Sequence, residues 1–595
     1  MNIRLSFLTL WTILAVACTK APAELVKLTA QPAELSFDAV GGTKDLVLTS
    51  GIKPTVSCAE NWISLSEGTY SSNTLTIKVT AKENTGTTER SASIRVIGEQ
   101  QSLMISVKQG LPQVKLAISQ DSFSFDRFGG ETEFTVTSSQ QPQVVSNAAW
   151  CGVSVGTIDN QHQTKVTVSA GANRTLDERN GVLTISCGSD QLTAKVSGEA
   201  GITIPIASTT ALTPQMVFDA MAPGWNLGNQ MDAISNGVSG ETLWGNAKCT
   251  QSTFDRVKAA GFKSVRICVT WEGHIGPAPA YRIEEKWMNR VEEIVGYAEK
   301  AGLVAIVNTH HDESYWLDIN KAGEAAKDEL FCVWTQIARR FQDKGEWLVF
   351  EPFNEIQDGG WGWSEKFKSN PKYQYDILNS WAQVFVEAVR STGGNNATRW
   401  LGIPSYAQSP IFTIPDFDHG GGFITPGLVL PTDYTGANRL IVSVHDYDPY
   451  NYTLANPLVA QWGHTAAADK RCSDKDEENV VWLFDQLKKT YVDNDIPVYI
   501  GEMGCSRHSE ENFPYQLYYI EYFCKAAADR LLSMYLWDNG GSGTGAEKHG
   551  YLDHGTGAFL DDKAEQLVGL IVKAATSKDA AYTLESVYNS APKTN

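Results

Sequence analysis

The pattern of hydrophobic and polar positions changes near residue 200 of this 595-residue chain. Before that point, short segments alternate apolar residues with Ser, Thr and charged residues, which is typical of strands with one buried face. From about Ile202, short apolar runs alternate with amphipathic segments of helical length, such as EKWMNRVEEIVGYAEKAG from Glu285. The pattern therefore predicts an all-β region followed by a domain of alternating strands and helices.

The all-β region contains an internal repeat. The segment LSFDAVGGTKDLVLTS (Leu35–Ser50) matches FSFDRFGGETEFTVTS (Phe123–Ser138) at an offset of 88 residues, and Trp62 and Trp150 share that offset. A period of this size, with paired glycines at the turns, predicts two copies of a small β-sandwich. The two tryptophans are predicted to be core residues, with sugar binding as the alternative.

The two copies resemble BACON modules, the small immunoglobulin-like domains that precede catalytic domains in secreted proteins of Bacteroidetes. The resemblance covers about residues 26–110 and 114–198. It implies a spacer, or a module that faces glycans or mucin. It implies no catalysis, because neither a pair of carboxylates nor a metal-ligand cluster recurs in both copies.

Eight apolar runs after residue 202 are candidates for strands, the first near Pro223–Leu227 and the last within SMYLWDN at Ser533–Asn539. Continuous Val, Ile and Leu are typical of parallel strands that are buried on both faces. Their alternation with helices predicts a (β/α)8 TIM barrel at residues 205–590. An open doubly wound sheet is the alternative, and it is disfavoured because no Gly-rich phosphate loop follows the first strand.

Side chains suited to binding or catalysis follow nearly all of these strands. They are Asn226 and Asn229, Arg266, His310, Asn354 and Glu355, His445 and Tyr447, Glu502, and Trp537. The carboxyl ends of barrel strands meet on one face, where active sites form, so a site is expected there. Two facing carboxylates, Glu355 and Glu502, suit glycoside hydrolysis, in which one carboxyl protonates the leaving oxygen and the other attacks the anomeric carbon. For either carboxylate alone, a surface ion pair is the alternative.

Seven motifs carry a further resemblance: GWNLGNQMDA, VRICVTW, VNTHHD, FNEI, VHDYDPY, IGEMG and WDNG. Over about residues 210–580 they resemble glycoside hydrolase family 5, and the block from Trp225 to Trp271 is most similar to the endo-β-1,4-glucanases and xyloglucanases of its subfamily 4. The resemblance implies a retaining hydrolase of β-glucan polysaccharides that needs no cofactor. Ile356, Cys268 and Asp446 depart from the family pattern, and the departures bear on loop shape.

The resemblance also implies a role for each motif residue. Glu355 would be the acid/base and Glu502 the nucleophile, and Asn354 would bind the 2-hydroxyl of the sugar at the cleavage point. Arg266 would lie beneath Glu502 and keep it ionised, because an adjacent cation lowers the pKa of a carboxyl. Tyr447 would donate a hydrogen bond to the same carboxylate.

Other predicted site residues are His310 and His445, which would contact the substrate and the acid/base, and Trp537, which would form the floor of the subsite for the covalently bound sugar. Asn226 is predicted to support them. For His311 both substrate contact and packing remain open. The HHDE sequence is not expected to bind a metal, because adjacent residues on a strand point to opposite faces.

Five tryptophans lie in loop-like stretches and are candidates for sugar platforms or for packing: Trp244, Trp271, Trp316, Trp361 and Trp363. The GGWGW segment is predicted to line the cleft just past the acid/base through Trp361 and Trp363. The abundance of tryptophan favours a sugar ligand, because indole faces stack on pyranose rings. A net charge of −19 excludes nucleic acid as a plausible partner.

The N-terminal segment 1–18 has one early basic residue, Arg4, followed by an apolar stretch that is too short to span a bilayer. It predicts a secretory signal, and its end resembles a lipoprotein box in which Cys18 carries the lipid. The alternative is a plain signal peptide. With a lipid, we expect a monomer anchored on the outer membrane and facing outside. Export would permit a disulfide between Cys151 and Cys187, and buried thiols are the alternative.

The leading hypothesis is a surface-anchored, endo-acting β-1,4-glucan hydrolase. A β-mannanase or a mixed-linkage glucanase of the same fold is one alternative. A lipoprotein that binds glycans without cutting them is another, and the presence of both Glu355 and Glu502 argues against it.

Overall fold

The computed structural model describes residues 26–202, 204, 209–435 and 438–593. The predicted signal segment and Cys18 lie outside these ranges. Two β-sandwiches are followed by a closed barrel of eight parallel strands, so the predicted fold class is confirmed. Within the described ranges, none of the helices combines the length and apolar character needed to cross a membrane.

The first sandwich packs one sheet of order β1-β3-β7-β5, with β6 beside β7, against a second sheet of order β2-β9-β8-β4. Alternate residues of each strand point into a single core that includes Trp62. The strands are β1 Thr29–Gln31, β2 Glu34–Phe37, β3 Gly42–Thr49, β4 Thr55–Cys58, β5 Ile63–Leu65, β6 Tyr70–Ser71, β7 Thr74–Ala81, β8 Arg90–Ile97 and β9 Ser102–Gln109.

The second sandwich repeats this arrangement, with sheets of order β10-β12-β15-β14 and β11-β17-β16-β13. Its cysteines Cys151 and Cys187 are free thiols, so the possible disulfide between them is absent. The strands are β10 Ala117–Ile118, β11 Ser122–Phe125, β12 Gly130–Thr137, β13 Gln143–Ser146, β14 Cys151–Val155, β15 Gln163–Ala170, β16 Arg179–Cys187 and β17 Asp190–Gly198.

The repeat seen in the sequence corresponds to repeated contacts. Gly41 and Gly129 occupy equivalent turns with φ of +80° and +73°, where a Cβ atom would lie 2.3 Å or less from a backbone oxygen of the facing strand. The guanidinium of Arg90 lies over the ring of Trp62, and an equivalent pair forms at Trp150 in the second sandwich. Both tryptophans therefore pack in their modules, as predicted.

The barrel contains eight strands in chain order, each buried along its length. All eight coincide with predicted apolar runs. The barrel strands are β18 Gly224–Leu227, β21 Ser264–Ile267, β22 Val304–Asn308, β23 Leu348–Glu351, β24 Leu401–Pro404, β27 Leu440–Asp446, β28 Val498–Met503 and β29 Leu532–Leu536; two hairpins add β19 Ile234–Ser235 with β20 Val238–Ser239, and β25 Phe417–Asp418 with β26 Ile424–Thr425.

Helices surround the barrel, and their apolar faces pack on the strands. Between β24 and β27 the described residues form a 3-10 helix at Tyr406–Gln408, the short helix α7 and the β25–β26 hairpin. The helices are α1 Pro214–Met221, α2 Gln251–Ala259, α3 Glu285–Ala301, α4 Glu324–Arg340, α5 Glu365–Ser369, α6 Pro371–Ser391, α7 Pro410–Thr413, α8 Tyr450–Thr453, α9 Asp476–Thr490, α10 Phe513–Ala528, α11 Asp562–Thr576 and α12 Leu584–Tyr588.

The second sandwich packs directly against the barrel. Arg174 forms ion pairs with Glu324 and Asp328 on α4, at 2.6 and 3.0 Å. At Gly171, a Cβ atom would lie 2.2 Å from the backbone oxygen of Pro279, which shows how closely the two domains approach. The second sandwich therefore forms a direct interface with the barrel.

Candidate active site

A cleft of about 1140 Å³ opens at the carboxyl ends of the barrel strands. Ten of the predicted site residues line it: His310, His311, Asn354, Glu355, Trp361, Trp363, His445, Tyr447, Glu502 and Trp537. Arg266 and Asn226 are fully buried below the cleft. The strand-end side chains therefore converge, as the barrel prediction required.

Glu355 and Glu502 face each other beside His445. His445 Nδ1 lies 2.8 Å from Glu355 Oε1 and 3.6 Å from Glu502 Oε1. One atom from each of the three side chains can be chosen so that all lie within 4.8 Å of one another. The register of β27 against β28 shifts after Val444, and this irregularity places His445 opposite Glu502.

Arg266 connects several of these groups from below. Its Nη1 donates to Glu502 Oε1 at 2.7 Å, and its Nη2 donates to Asn354 Oδ1 at 2.6 Å. A guanidinium presents its donors in a rigid plane, so it fixes the nucleophile candidate and the amide relative to each other. Because Asn354 Oδ1 accepts from Arg266, the amide N–H groups are the donors left for a ligand.

Glu351 is a functional residue that the sequence analysis did not identify. Its Oε1 accepts from Nε and Nη2 of Arg266, at 3.1 and 2.7 Å, and its Oε2 accepts from the hydroxyls of Ser443 and Tyr499. Burial opposes its ionisation, but the charge of Arg266 lowers the pKa of Glu351. The signal was present in LVFEPFNE, because a carboxylate inside a buried strand needs a partner.

Asn226 supports this network instead of lining the cleft. Its Nδ2 donates to the backbone oxygen of Gly501 at 2.9 Å, and its Oδ1 accepts from Arg266 Nη1 at 3.1 Å. The amide therefore connects the first barrel strand to the strand that carries Glu502, and it orients the guanidinium.

The backbone of Glu355 adopts a left-handed conformation, with φ of 48°, which is uncommon for a residue other than glycine. The amide of Glu355 donates to Gln408 Oε1 at 2.8 Å, and Gln408 Nε2 donates to Ser443 Oγ at 2.8 Å. Ser443 in turn donates to Glu351. Hydrogen bonds thus connect the strained backbone of Glu355, through Gln408 and Ser443, to Glu351, which pairs with Arg266. The sequence offered no motif that pointed to Gln408.

The two central carboxyls are ionised less readily than free ones. Burial raises the pKa of Glu355 to about 7. Burial also raises the pKa of Glu502, and the charges of His445 and Arg266 oppose that rise. Burial thus outweighs Arg266, which lowers the pKa of Glu502 as expected but does not bring it below the usual range.

Tyr447 donates from its hydroxyl to Glu502 Oε2 at 3.0 Å, as predicted. Burial raises the pKa of Tyr447 well above its usual range, and the negative charge of Glu502 raises it further. The hydroxyl therefore keeps its proton and favours the ionised form of Glu502.

His310 and Trp537 form the floor of the cleft. Their rings stack with centroids 5.8 Å apart and an angle of 7°. Gly228 allows the indole to lie this low, because a Cβ atom there would approach the Trp537 ring to 2.8 Å. The flat floor next to Glu502 is the type of surface that a sugar ring stacks on.

His311 contacts carboxylates as well as the cleft. Its Nε2 lies 3.8 Å from Asp232 Oδ2 and its Nδ1 lies 3.7 Å from Glu313 Oε1. Burial lowers the pKa of His311, but these two carboxylates outweigh burial and raise the pKa to about 9. His311 is thus positively charged at neutral pH and lies on the cleft wall, open to a ligand.

The two adjacent histidines do not point to opposite faces, so the reason given for expecting no metal is wrong. Both rings lie near Asp232, because they follow the end of β22, and the three side chains are close enough to share an ion. However, Asn308 accepts from the amide of Val269 through Oδ1 and donates to His310 Nδ1 through Nδ2. His310 Nε2 therefore carries a hydrogen and is not available as a metal ligand.

The five loop tryptophans divide into two groups. Trp361 and Trp363 lie on the cleft rim with 52% of their surface exposed, and Trp244 lines the cleft with 44% exposed. Trp271 is fully buried and Trp316 packs against the core. Aromatic platforms therefore stand on the cleft wall, and the remaining two tryptophans serve packing.

Family models match three regions of the chain. The family model described as Cellulase (glycosyl hydrolase family 5) matches residues 228–543. Models described as a putative N-terminal BACON binding domain and a viral BACON domain match residues 53–110 and 115–200. Endoglucanase A of Paenibacillus barcinonensis is 34% identical over 365 residues, which are 58% of this chain and 86% of the relative.

Two solved structures are similar to this chain. A GH5-4 broad specificity endoglucanase from Bacteroides salanitronis has a TM-score of 0.58 and 46% identity, covering 63% of this chain and 98% of its own. A GH5 xyloglucanase of Bacteroides ovatus, solved with a XXXG heptasaccharide, has a TM-score of 0.54 and 27% identity, covering 78% of this chain and 100% of its own.

Proposed function

The chain belongs to glycosyl hydrolase family 5 and is a glycoside hydrolase of the endoglucanase type, and from this premise we propose that it cleaves the backbone of xyloglucan or a related β-1,4-glucan with retention of configuration. The observation that carries the mechanism is the approach of Glu355 and Glu502 to within 4.8 Å through their nearest suitable oxygens. Retaining enzymes separate their carboxyls by about 5–5.5 Å, and inverting enzymes need about 6.5–9.5 Å to admit a water molecule.

In the first step, a carboxylate oxygen of Glu502 attacks the anomeric carbon, and the bond from that carbon to the leaving oxygen breaks. Glu355 gives its proton to the leaving oxygen. In the second step, the ionised Glu355 takes a proton from water, whose oxygen displaces Glu502 from the sugar. A pKa of about 7 for Glu355 supports both tasks, because the group is ready to give and to take a proton near neutral pH.

The surrounding groups have matching roles. Arg266 and Tyr447 direct three N–H or O–H donors toward the side-chain oxygens of Glu502 and Asn354, and they hold both side chains in place. Asn354 presents N–H groups toward the 2-hydroxyl of the sugar, and Trp537 offers a stacking floor. The hydrogen bond to the 2-hydroxyl is of the type that strengthens in the transition state.

The shape of the cleft supports cleavage within a polymer. Trp244, Trp361 and Trp363 line the cleft with exposed indoles, on which successive sugars of a polymer chain could stack. The names of the similar proteins support a β-1,4-glucan backbone, and the complex of the Bacteroides ovatus enzyme with XXXG heptasaccharide supports xyloglucan as the first substrate to test.

We also propose that the enzyme is a monomer with a lipid on Cys18 and that it faces outward from the outer membrane. The support for the lipid anchor is the sequence of the segment 1–18. Labelling with radioactive palmitate, followed by Cys18→Ser, tests the anchor. Loss of label and release from the membrane fraction are expected, and a labelled Cys18→Ser chain would contradict the anchor.

Reducing-sugar release from a panel of polysaccharides tests the activity, with Glu502→Gln as the matched blank. The panel contains xyloglucan, mixed-linkage β-glucan, carboxymethyl cellulose, glucomannan and xylan. Release from xyloglucan or carboxymethyl cellulose is expected, and proton NMR should detect the β-anomer first. If glucomannan is the best substrate, the enzyme is instead a β-mannanase, and if mixed-linkage glucan is the best, its specificity is that of a lichenase. If a folded chain releases no sugar from any substrate, it is a glycan-binding protein.

A further inference from the structure

A row of aromatic side chains leaves the cleft and continues over the outer surface of the barrel. It consists of Trp363, His419, Phe417 and Trp482, and we call it the aromatic row. Trp363 stands on the cleft rim, His419 and Phe417 belong to the region of the β25–β26 hairpin, and Trp482 lies on α9. Neighbouring ring centroids are 5.8, 4.8 and 6.0 Å apart along the row.

The two tryptophans at the ends of the row are open to solvent. Trp363 is 52% exposed and Trp482 is 47% exposed. Each indole packs against a neighbouring ring of the row in a T-shaped arrangement, at 86° and 63°, and these contacts hold it in place. Lys368 approaches Trp363 with its Nζ 5.9 Å from the ring centre, and half of the indole still remains in solvent.

Packing of α9 does not account for Trp482. The helix buries Val480, Leu483, Phe484 and Leu487 against the barrel, and these residues supply its apolar face. Trp482 lies off that face. A single exposed apolar residue needs no explanation. Trp482, however, packs against another ring in a row that begins at the substrate cleft, and contiguous exposed apolar surface of this kind is typical of interaction sites.

We propose that the aromatic row is a polysaccharide-binding surface that extends the cleft and takes the glucan chain beyond the leaving-group side of the cleavage point. The inference rests on the proposed function. Trp363 lies on the loop that begins with Glu355, and Glu355 protonates the leaving oxygen, so the row starts on the side toward which the leaving chain departs. The ligand class is an uncharged chain of β-1,4-linked hexopyranoses.

The connection between β24 and β27 leaves this surface accessible. A small helix and a hairpin replace the long helix found between most other barrel strands, and the hairpin carries the two middle rings of the row. A second copy of this chain is a poorer occupant, because a stable interface buries about 800 Å² on each partner and the row offers only two half-exposed indoles.

Binding by the uncleaving Glu502→Gln full-length chain tests the proposal. Isothermal titration with polymeric xyloglucan and with a short cello-oligosaccharide compares Trp482→Ala, Trp482→Phe and a control, Tyr373→Ala, whose side chain is 54% exposed on α6. We expect Trp482→Ala to weaken polymer binding about 3- to 10-fold, as loss of one stacking contact predicts. Trp482→Phe should restore most of it, and binding of the oligosaccharide should not change.

In the active chain, Trp482→Ala should raise KM for the polymer by the same factor and leave kcat unaltered. The proposal is overturned if Trp482→Ala binds the polymer as tightly as the chain with Trp482. It is also overturned if Trp482→Ala loses as much affinity for the oligosaccharide as for the polymer, or if Tyr373→Ala loses as much affinity for the polymer as Trp482→Ala. Sedimentation showing that Trp482 controls self-association and not polymer binding also overturns it. Failure of the proposed function is seen separately, as absence of sugar release by the chain that retains Glu502.

Discussion

Glu351 and Glu502 bind the same guanidinium from two sides. Arg266 donates to Glu502 through Nη1 and to Glu351 through Nη2, both at 2.7 Å, and Glu351 is as deeply buried as the arginine. Glu351 and Glu502 thus share the positive charge of Arg266. Glu351, which lies outside the cleft, determines how the guanidinium is oriented toward Glu502.

Replacing Glu351 with Gln should therefore reduce both stability and activity. The buried cation loses part of its compensation, and breaking a buried pair costs about 3–5 kcal/mol. We expect a lower midpoint in urea unfolding and a fall in kcat of about 10-fold or more, because Arg266 is free to turn. Tyr499→Phe, which removes only a neutral donor to the charged Glu351, should cost less, about 1.5–3 kcal/mol. Equal effects of the two variants would contradict this role of Glu351.

The pH dependence of the rate should follow Glu355. Its pKa is about 7, and the first step needs its proton. On the alkaline side, kcat/KM should fall through about pH 7, since this limb reports the acid of the free enzyme. Glu355→Gln should abolish that limb along with nearly all activity on unactivated polysaccharide. An alkaline limb that stays above pH 9 in the native enzyme would show that another group is the acid.

The free energy of unfolding should also depend on Glu355, and its pH dependence should be the reverse of that produced by an ordinary salt-bridged carboxylate. The folded pKa of Glu355 lies above the unfolded value, so the folded protein binds the proton more tightly. This contribution is complete below about pH 4.5 and is lost as the pH rises through 7. Chemical unfolding of Glu355→Gln and the native chain should therefore show the variant gaining relative stability between pH 5 and pH 8. A constant difference would contradict the raised pKa.

Tyr447→Phe should slow the reaction by about 10-fold and move the acidic limb of kcat/KM to higher pH. The lost hydroxyl no longer favours the ionised form of Glu502, so the pKa of Glu502 rises further. Tyr452→Phe is a matched control, because the buried Tyr452 hydroxyl has no hydrogen-bond partner in the described structure. If the acidic limb does not move in Tyr447→Phe, the hydrogen bond to Glu502 does not tune that carboxyl.

The barrel and most of its cleft could be predicted because the sequence changes abruptly where strands end. Asn354 and Glu355 interrupt an apolar run, and His445 and Glu502 do the same, so position in the pattern already indicated the rim. Glu351 and Gln408 could not be assigned roles in this way. Their partners come from strands far along the chain, as in the contact of Glu351 with Arg266 across 85 positions. Only the closed barrel brings them together.

The sandwich modules were predicted to be spacers or modules that face glycans or mucin, and the structure adds a contact with the barrel that no sequence pattern indicated. Arg174 is an ordinary polar residue of a turn until its ion pairs with Glu324 and Asp328 are seen. Surface pairs of this kind contribute little individually. The close approach of Gly171 to Pro279 and the packing of Ala172 and the adjoining chain on the barrel core supply the larger part of the contact.

The second sandwich should therefore stabilise the catalytic barrel. Removing residues 1–113, which contain the first sandwich, should leave the thermal midpoint of the barrel unchanged, because the second sandwich retains its contacts. Removing residues 1–199 exposes the surface of α4 and of Pro279, and we expect the barrel to unfold several degrees lower, with kcat at 25 °C little altered. Differential scanning calorimetry of the two shortened chains and the full chain measures this. Identical barrel midpoints in both shortened chains would return the second sandwich to the role of a simple spacer.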